Sequence, residues 1–322
     1  MISVICPVLN EINYIKKLLE FFKSVYPSEK ELIIIDGGSA DGTKEIIQQW
    51  SQIYSDVILL NNPYKYVSYA LNIGIKAASG DPIIRIDAHC DYSPDYFVKI
   101  LETFQKTKAD IVGGPTRIIA VTGFQKAVEK ILTSKLGVGN NKIHDMYFNG
   151  YVDHVTFGAW RKSLFEEIGY FDEHLVRNQD DEFHYRAISF GKKIFLNSEI
   201  KLWYHPRDNY KGLFLQYFQY GFYKPFVFSK VKSSMRIRHL IPSSFILYLL
   251  ILPFTNVQIY WIIPLFLYLL LIGMVTLLSR LKLKIKFHLL LLFPLIHISY
   301  GLGFIFGLFS IINIKNSNTN FI

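Results

Sequence analysis

The sequence predicts an α/β domain, a mostly parallel sheet with helices on both faces, followed by helices that cross a membrane. Three observations carry that prediction. Short apolar, β-branched runs alternate with helical patterns over the first part of the chain. Residues 239–279 contain no Asp, Glu, Lys or Arg. Acidic residues nearly vanish after Glu199, Asp208 being the last, while basic residues continue to Lys315.

Taken in order, residues 2–6 and 32–35 are strands, each ending in a polar loop that leads into a helical pattern, 13–24 and 43–50. A strand at 57–60, a helix at 67–78, a strand at 82–86, a helix at 94–107 and a strand at 111–112 continue the alternation. In such a sheet, ligands belong at the carboxyl ends of the strands. The loops there carry Asn10 and Glu11, Asp36 and Asp41, and Asp87, His89 and Asp91. A helix is expected at 124–136, helices or half-helices at 157–171 and 180–190, and a strand at 193–195. Residues 212–222 place Phe214, Tyr217, Phe218 and Phe222 on one helical face, the pattern of a helix lying in a membrane interface, and Pro225 follows.

A membrane-crossing helix needs about 20 residues. Pro253 and Asn256 interrupt 239–279, so two spans joined by a tight turn are expected, with a third at 287–312. The first of these, 240–254, is short and open to a re-entrant reading. Lys224, Lys230, Lys232, Arg236 and Arg238 precede it, and Arg280, Lys282, Lys284 and Lys286 separate the second span from the third. The positive-inside rule then places the large domain and the 280–286 loop in the cytoplasm and the C-terminus outside. The expected organisation is a domain over 1–210, an amphipathic segment over 211–238, a membrane region over 239–314 and a polar tail over 315–322.

The net charge of +9 sits beside apolar spans, which favours anionic lipid over nucleic acid as its partner. Cys6 and Cys90 stand in no disulfide or metal-ligand spacing, consistent with a reduced compartment. The first residues lack the basic and cleavage regions of a secretory leader and read as a strand.

Candidate chemistry lies in the polar loops. Asp36 ends an apolar strand, and a buried carboxylate requires donors, which a base or ribose edge can supply. The following Gly37-Gly38-Ser39-Ala40-Asp41-Gly42 permits close backbone approach, as an ordinary strand-to-helix loop also does. Asp87 and His89, two residues apart at a strand end, suit a divalent cation bound to a diphosphate, the imidazole favouring Mn²⁺ over Mg²⁺; the alternative is a capping Asp and a surface His. Asp180, Asp181 and Glu182 open a helix. Their acidity complements the helix dipole, yet two adjacent carboxylates also raise one pKa toward the range of a general base. Glu182 and Arg186 form an i,i+4 pair, which favours a structural Glu182.

Together these residues resemble the membrane-attached, succinoglycan-type members of family 2 of the inverting glycosyltransferases, from Ile2 to about Lys224. The resemblance implies the GT-A fold, a nucleotide-sugar donor, Mn²⁺ or Mg²⁺, and single displacement at the anomeric carbon. By that likeness Pro7, Asn10, Glu11, Asp36 and Asn72 border the nucleotide, Asp87 opens the family's Asp-x-Asp motif, and Asp180 is the base. His89 replaces the motif's last Asp and Gln179 replaces the Glu beside the base. Gly158 and Trp160 fall in the stretch that lies near donor sugar and acceptor in the family. Asp181, His205, Arg207 and Gln216 are further candidates, with Arg207 or His205 for phosphate and Gln216 for the acceptor entrance. The Gln-x-x-Arg-Trp motif of processive synthases is absent, which argues for adding one sugar.

The expected activity is transfer of one sugar from a nucleotide donor, of the uridine diphosphate type though Asp36 accepts from uracil or guanine alike, to a polyprenyl-phosphate- or diphosphate-linked saccharide at the cytoplasmic face. The alternatives are transfer to the bare lipid phosphate and a non-catalytic nucleotide-binding scaffold.

Overall fold

The structure, a computed structural model, describes residues 1–139, 142–254 and 259–316, with side chains to residue 312. The turn expected at 255–258 and the tail from 317 onward lie outside the described residues. The chain divides into two compact units, Met1–Ile118 with Lys142–His205 and Ile119–Asn141 with Pro206–Ile322.

The first unit opens with β1 (Ile2–Val8), α1 (Ile15–Ser24), β2 (Lys30–Asp36), α2 (Thr43–Ile53), β3 (Val57–Asn61), α3 (Val67–Ala77) and β4 (Ile83–Arg85). These strands pair in parallel in the order β3-β2-β1-β4. Alternate residues bury on opposite faces. Val4, Cys6, Leu32 and Ile34 pack with Leu18, Leu19 and Phe22 of α1, while Ile5, Ile33 and Ile35 pack with Ala70, Leu71 and Ile75 of α3. Strands covered on both faces read as continuous apolar runs, which is why they are legible. Because the chain moves outward from β1 to β3 and then returns to β4 on β1's other side, β1 and β4 flank a topological switch point, where loops diverge and leave a crevice.

Beyond it the unit continues with β5 (Cys90–Tyr92), α4 (Tyr96–Lys106), β6 (Ile111–Gly113), β7 (Thr116–Ile118), β8 (Gly150–Tyr151), β9 (Ala159–Trp160), α7 (Ser163–Ile168), α8 (Gln179–Ser189), β10 (Ile194–Leu196) and β11 (Leu202–Tyr204). The sheet is completed as β4-β9-β6-β10-β8, with β9 antiparallel to both neighbours. A helix or half-helix was expected within 157–171; α7 supplies it over Ser163–Ile168, while Ala159 and Trp160 form β9. Both residues are buried, Ala159 in one face's core and Trp160 in the other's, a two-sided burial that a strand supplies and a surface helix does not. A second small sheet, β5-β11-β7, had no signal, its strands being three residues each.

The second unit contains α5 (Gly123–Leu132), α6 (Lys135–Val138), α9 (Tyr210–Lys230), α10 (Ile237–Ile251), α11 (Ile259–Leu278) and α12 (Leu283–Asn316). Residues 119–141, expected within the N-terminal domain, belong here because Phe124, Ala127, Val128 and Ile131 of α5 pack with Leu289, Leu292, Phe293 and Ile296 of α12. Helix α9 runs through Pro225 and does not stop before it. It lies backbone to backbone on α12: a Cβ at Gly221 would stand 2.1 Å from the Tyr300 carbonyl oxygen, and one at Gly303 2.0 Å from that of Phe218. Among the described residues, three helices are long and apolar enough to cross a membrane, Ile237–Phe254, Ile259–Leu278 and Leu283–Ile312.

Candidate active site

The expected site residues of the first unit gather around the carboxyl ends of β1, β2 and β4. Two loops from β1 and β2 are stitched together there. Asn10, held at φ +57°, donates its backbone N–H to Ser39 Oγ at 2.9 Å and accepts from the Ala40 N–H on its Oδ1, also at 2.9 Å. The Glu11 N–H donates to Thr43 Oγ1 (2.8 Å) and the Ile12 N–H to Asp41 (3.1 Å). Asn10 therefore joins the loops and does not cap α1.

Asp36 is buried at the end of β2, and its donors come from its own loop, the N–H groups of Gly38 (3.1 Å) and Ser39 (3.2 Å). The base edge invoked for that purpose is not needed to satisfy the carboxylate, which still retains acceptor capacity. Asn72 departs further from expectation. Its Nδ2 donates to the Phe171 carbonyl (2.9 Å) and to Glu173 Oε1 (2.8 Å), and its Oδ1 accepts from the Phe171 N–H (3.0 Å). Its amide is committed to holding the 171–173 loop. Pro7, within β1 opposite Ile35, shapes the same end of the sheet by backbone alone.

Across the switch point, His89 Nδ1 lies 2.8 Å from Glu11 Oε1. Asp87 follows β4 and accepts from Arg85 on both oxygens, Nε to Oδ1 at 3.0 Å and Nη2 to Oδ2 at 3.2 Å. Arg85 Nη1 also donates to both oxygens of Asp180, at 3.1 Å each. Asp180 sits in the first turn of α8, entered through Asn178 at φ +61°. Removal from water raises its pKa, Asp87 and Asp181 add to the rise, and Arg85 opposes it. Glu182 bonds Arg186 Nε at 2.7 Å as the spacing predicts. Asp91 pairs with Lys17 and, at 3.9 Å, with His205 Nε2.

Three expected residues, Trp160, Arg207 and Gln216, are elsewhere. Trp160 is 1% exposed, ringed by Phe165, Phe171 and Phe183; it is a core residue, because β9 turns its side chain into the sheet's inner face. Gly158 contributes its carbonyl to the Arg85 N–H (3.2 Å). Arg207 and Gln216 belong to the second unit, where Gln216 Nε2 donates to the Tyr220 hydroxyl (2.9 Å).

Arg85 itself was missed. The available signal was a guanidinium inside Ile83-Ile84-Arg85-Ile86, a charge in an otherwise apolar strand. His184, one turn after Asp180, was missed too; it is buried with neither ring nitrogen hydrogen-bonded among the described residues, and burial pushes its pKa down to about 3.

A divalent cation fits part of this constellation. Among the described residues no group of three or more His, Cys, Asp or Glu is placed to hold a metal, so the protein would supply two ligands, Asp87 and His89, and phosphate oxygens the others, as is usual for nucleotide-bound Mg²⁺ or Mn²⁺. The Glu11–His89 contact supports this fit. A ligating imidazole commonly donates its second ring N–H to a carboxylate, which sets its tautomer and orientation.

Residues 3–169 of the chain match the family model described as glycosyl transferase family 2. The chain is 33% identical to the succinoglycan biosynthesis protein ExoA of Rhizobium meliloti over 242 residues, 74% of this chain and 73% of the relative. It is 29% identical to the dolichyl N-acetyl-α-D-glucosaminyl phosphate 3-β-D-2,3-diacetamido-2,3-dideoxy-β-D-glucuronosyltransferase of Methanococcus voltae, over 95% of this chain and 97% of the relative. Among solved structures, the mannosyltransferase PcManGT from Pyrobaculum calidifontis, in complex with GDP-Man and Mn²⁺, superposes with a TM-score of 0.63 at 14% identity, covering 96% of this chain and 87% of that one. At that identity the likeness is one of fold, a GT-A-like sheet with its covering helices.

Proposed function

Because this chain belongs to glycosyl transferase family 2, we propose that it is a membrane-anchored inverting transferase that moves one sugar from a nucleoside diphosphate donor to a polyprenyl-phosphate- or diphosphate-linked saccharide. It acts in polysaccharide or lipid-linked glycan synthesis. The observation that carries the reading is convergence: the expected base, Asp180, and the expected cation ligand, Asp87, meet on one guanidinium. Carboxylates separated by 93 positions in sequence have no reason to meet there for packing, since each carries a desolvation penalty.

In this scheme the acceptor hydroxyl oxygen attacks the anomeric carbon, the bond from that carbon to the diphosphate oxygen breaks with its electron pair, and the hydroxyl proton passes to Asp180. Proton transfer to a placed base contributes roughly 10²- to 10⁴-fold. Asp87 and His89 would hold the cation, with Glu11 orienting His89. When bound, such a cation stabilises the charge developing on the departing diphosphate. The loop amides after Asp36 frame the nucleotide end of the crevice, and the donor assigned is a uridine diphosphate sugar. The three apolar helices anchor the enzyme in the cell membrane, with the first unit in the cytoplasm by the distribution of basic residues. Anchoring raises the effective concentration of a lipid-borne acceptor.

The acceptor class is supported by the nearly full-length match to a transferase whose name specifies a dolichyl-linked saccharide phosphate. Thermal melting of the detergent-purified protein against uridine and guanosine diphosphates, each with and without Mn²⁺, tests the reading. A metal-dependent rise with uridine diphosphate supports it, and a rise with guanosine diphosphate alone keeps the transferase reading but overturns the donor. No rise with any nucleotide overturns it.

A further inference from the structure

Arg85 is the third residue of β4, the strand at the switch point, and only 5% of it is exposed. Its neighbours Ile83, Ile84 and Ile86 fill the cores on the two faces of the sheet, so a charge at this position is retained against the local preference for apolar burial. The backbone is fixed on one side by the hydrogen bond to the Gly158 carbonyl and on the other by pairing with Ile5 of β1. The guanidinium carbon Cζ lies 5.1 Å from the ring centre of Phe157, a residue held at φ +49°. A non-glycine residue in that conformation is uncommon and persists where its surroundings over-determine it. Here the strained residue supplies the face on which the guanidinium rests.

All three guanidinium nitrogens are used. Nε and Nη2 grip the two oxygens of Asp87, and Nη1 spans the two oxygens of Asp180. This fork is available to arginine alone; a lysine ammonium is a point charge that cannot present paired donors to one carboxylate while reaching a second. The electrostatics agree with the geometry. One positive charge stands between two carboxylates, with Asp181 close behind Asp180, and burial of the arginine is outweighed by these anions so that it stays charged.

We propose that Arg85 is a positioning residue that sets the placement of the base relative to the cation-binding carboxylate, coupling the acceptor and donor halves of the reaction through one rigid plane. The proposal rests on the transferase reading above. It gives Arg85 no contact with substrate; its action is on Asp180 and Asp87. Asp180 lies in the first turn of α8, and among the described residues Arg85 is the one side-chain donor on its carboxylate. Its direction is therefore set from β4. Displacement of a reacting group by about 1 Å can lower a rate about 10²-fold.

The test uses the full-length protein in detergent and the variants Arg85→Lys and Arg85→Ala, each checked for its melting temperature and its nucleotide-induced rise. Arg85→Lys is expected to keep donor KM and to lose about 10²-fold in kcat. Arg85→Ala is expected to lose more and to regain part of its kcat with methylguanidinium but not with methylammonium. A wild-type kcat in Arg85→Lys overturns the proposal. So does a loss of kcat that tracks a loss of melting temperature in both variants with no recovery by methylguanidinium, which assigns Arg85 to folding alone. Should Arg85→Ala fail to fold, the kcat-against-KM split in Arg85→Lys decides. A wild-type protein that transfers no sugar with any nucleotide donor removes the transferase reading, and the positioning role with it. Wild-type transfer with an indifferent Arg85→Lys removes the positioning role alone.

Discussion

Glu11 Oε1 lies 2.8 Å from His89 Nδ1, a contact that joins the loop after β1 to the loop after β4 across the switch point of the sheet. Glu11 was expected to border the nucleotide; its carboxylate is turned to the imidazole. If it orients a metal-ligating His89, Glu11→Gln weakens the binding of Mn²⁺ by about 10- to 100-fold, as loss of an outer carboxylate does elsewhere. Mn²⁺ titration by electron paramagnetic resonance, with uridine diphosphate present, measures this without turnover. Unchanged Mn²⁺ affinity with weakened nucleotide binding would return Glu11 to the nucleotide.

Asp180→Asn keeps the shape of the side chain and part of its bond to Arg85 while removing its capacity to take a proton. The expected result is a fall in kcat of roughly 10²- to 10⁴-fold, with the nucleotide-induced rise in melting temperature intact. Full activity in a folded Asp180→Asn protein would dismiss it as the base.

Asn72 separates stability from binding. Its amide satisfies the Phe171 N–H and carbonyl and meets Glu173, so Asn72→Ala leaves buried backbone groups without partners. The predicted loss is about 1–3 kcal/mol of stability, with nucleotide affinity retained. A variant of native stability and weakened nucleotide binding would reverse that assignment.

The contrast between Asn72 and Asp180 marks what the sequence reveals and what it hides. Strands β1, β2 and β4 are buried on both faces and read as apolar runs, so the switch point and the loops bearing Asn10, Asp36 and Asp87 were legible. Asp180 and Glu182 were legible because a helix start has its own acidic signature. What a long-range contact decides was not. Asn72 is held by a loop 99 positions away, Trp160 joins a two-residue strand whose partners lie far apart in the chain, and α5 belongs with α12 through a face that reads only as amphipathic. Arg85 was visible as an oddity in a strand, yet its partner Asp180 is 95 positions distant, and pairing across that distance has no periodicity to betray it.

In the second unit, glycine governs how α9 and α12 pack. Gly303 and Gly307 let α12 approach the Phe218 and Phe222 carbonyls so closely that an added Cβ would stand at 2.0 and 2.1 Å. Small residues of this kind allow helix backbones to meet in membranes. Gly303→Ala must push the helices apart, at about 1–3 kcal/mol as for other overpacked sites. The expected result is faster proteolysis of the detergent-solubilised second unit, whereas Gly273→Ala, where no atom of the described residues lies within 4 Å of the added Cβ, should leave it unaltered.

His184 gives the protein a dependence on pH whose sign follows from burial. Its imidazole lies among Phe183, His154, Asp181 and Arg85, and removal from water, aided by His154 and Arg85 against Asp181, lowers its pKa from 6.5 to about 3. The folded state therefore holds it neutral while the unfolded chain takes up a proton below pH 6.5. The stability associated with it is fully present above that pH and is lost as pH falls toward 3. Each unit of that descent removes up to about 1.4 kcal/mol, or about 2 kcal/mol between pH 6.5 and 5. Asp180, whose pKa is raised, contributes with the opposite sign but is common to wild type and variant, so the comparison cancels it. His184→Leu removes both the titration and two unpartnered buried nitrogens, and replacing such groups by apolar atoms is neutral to stabilising. Melting temperatures measured across that range should fall more steeply in the wild type than in His184→Leu. Parallel curves would mean that His184 is solvated or partnered in the folded protein.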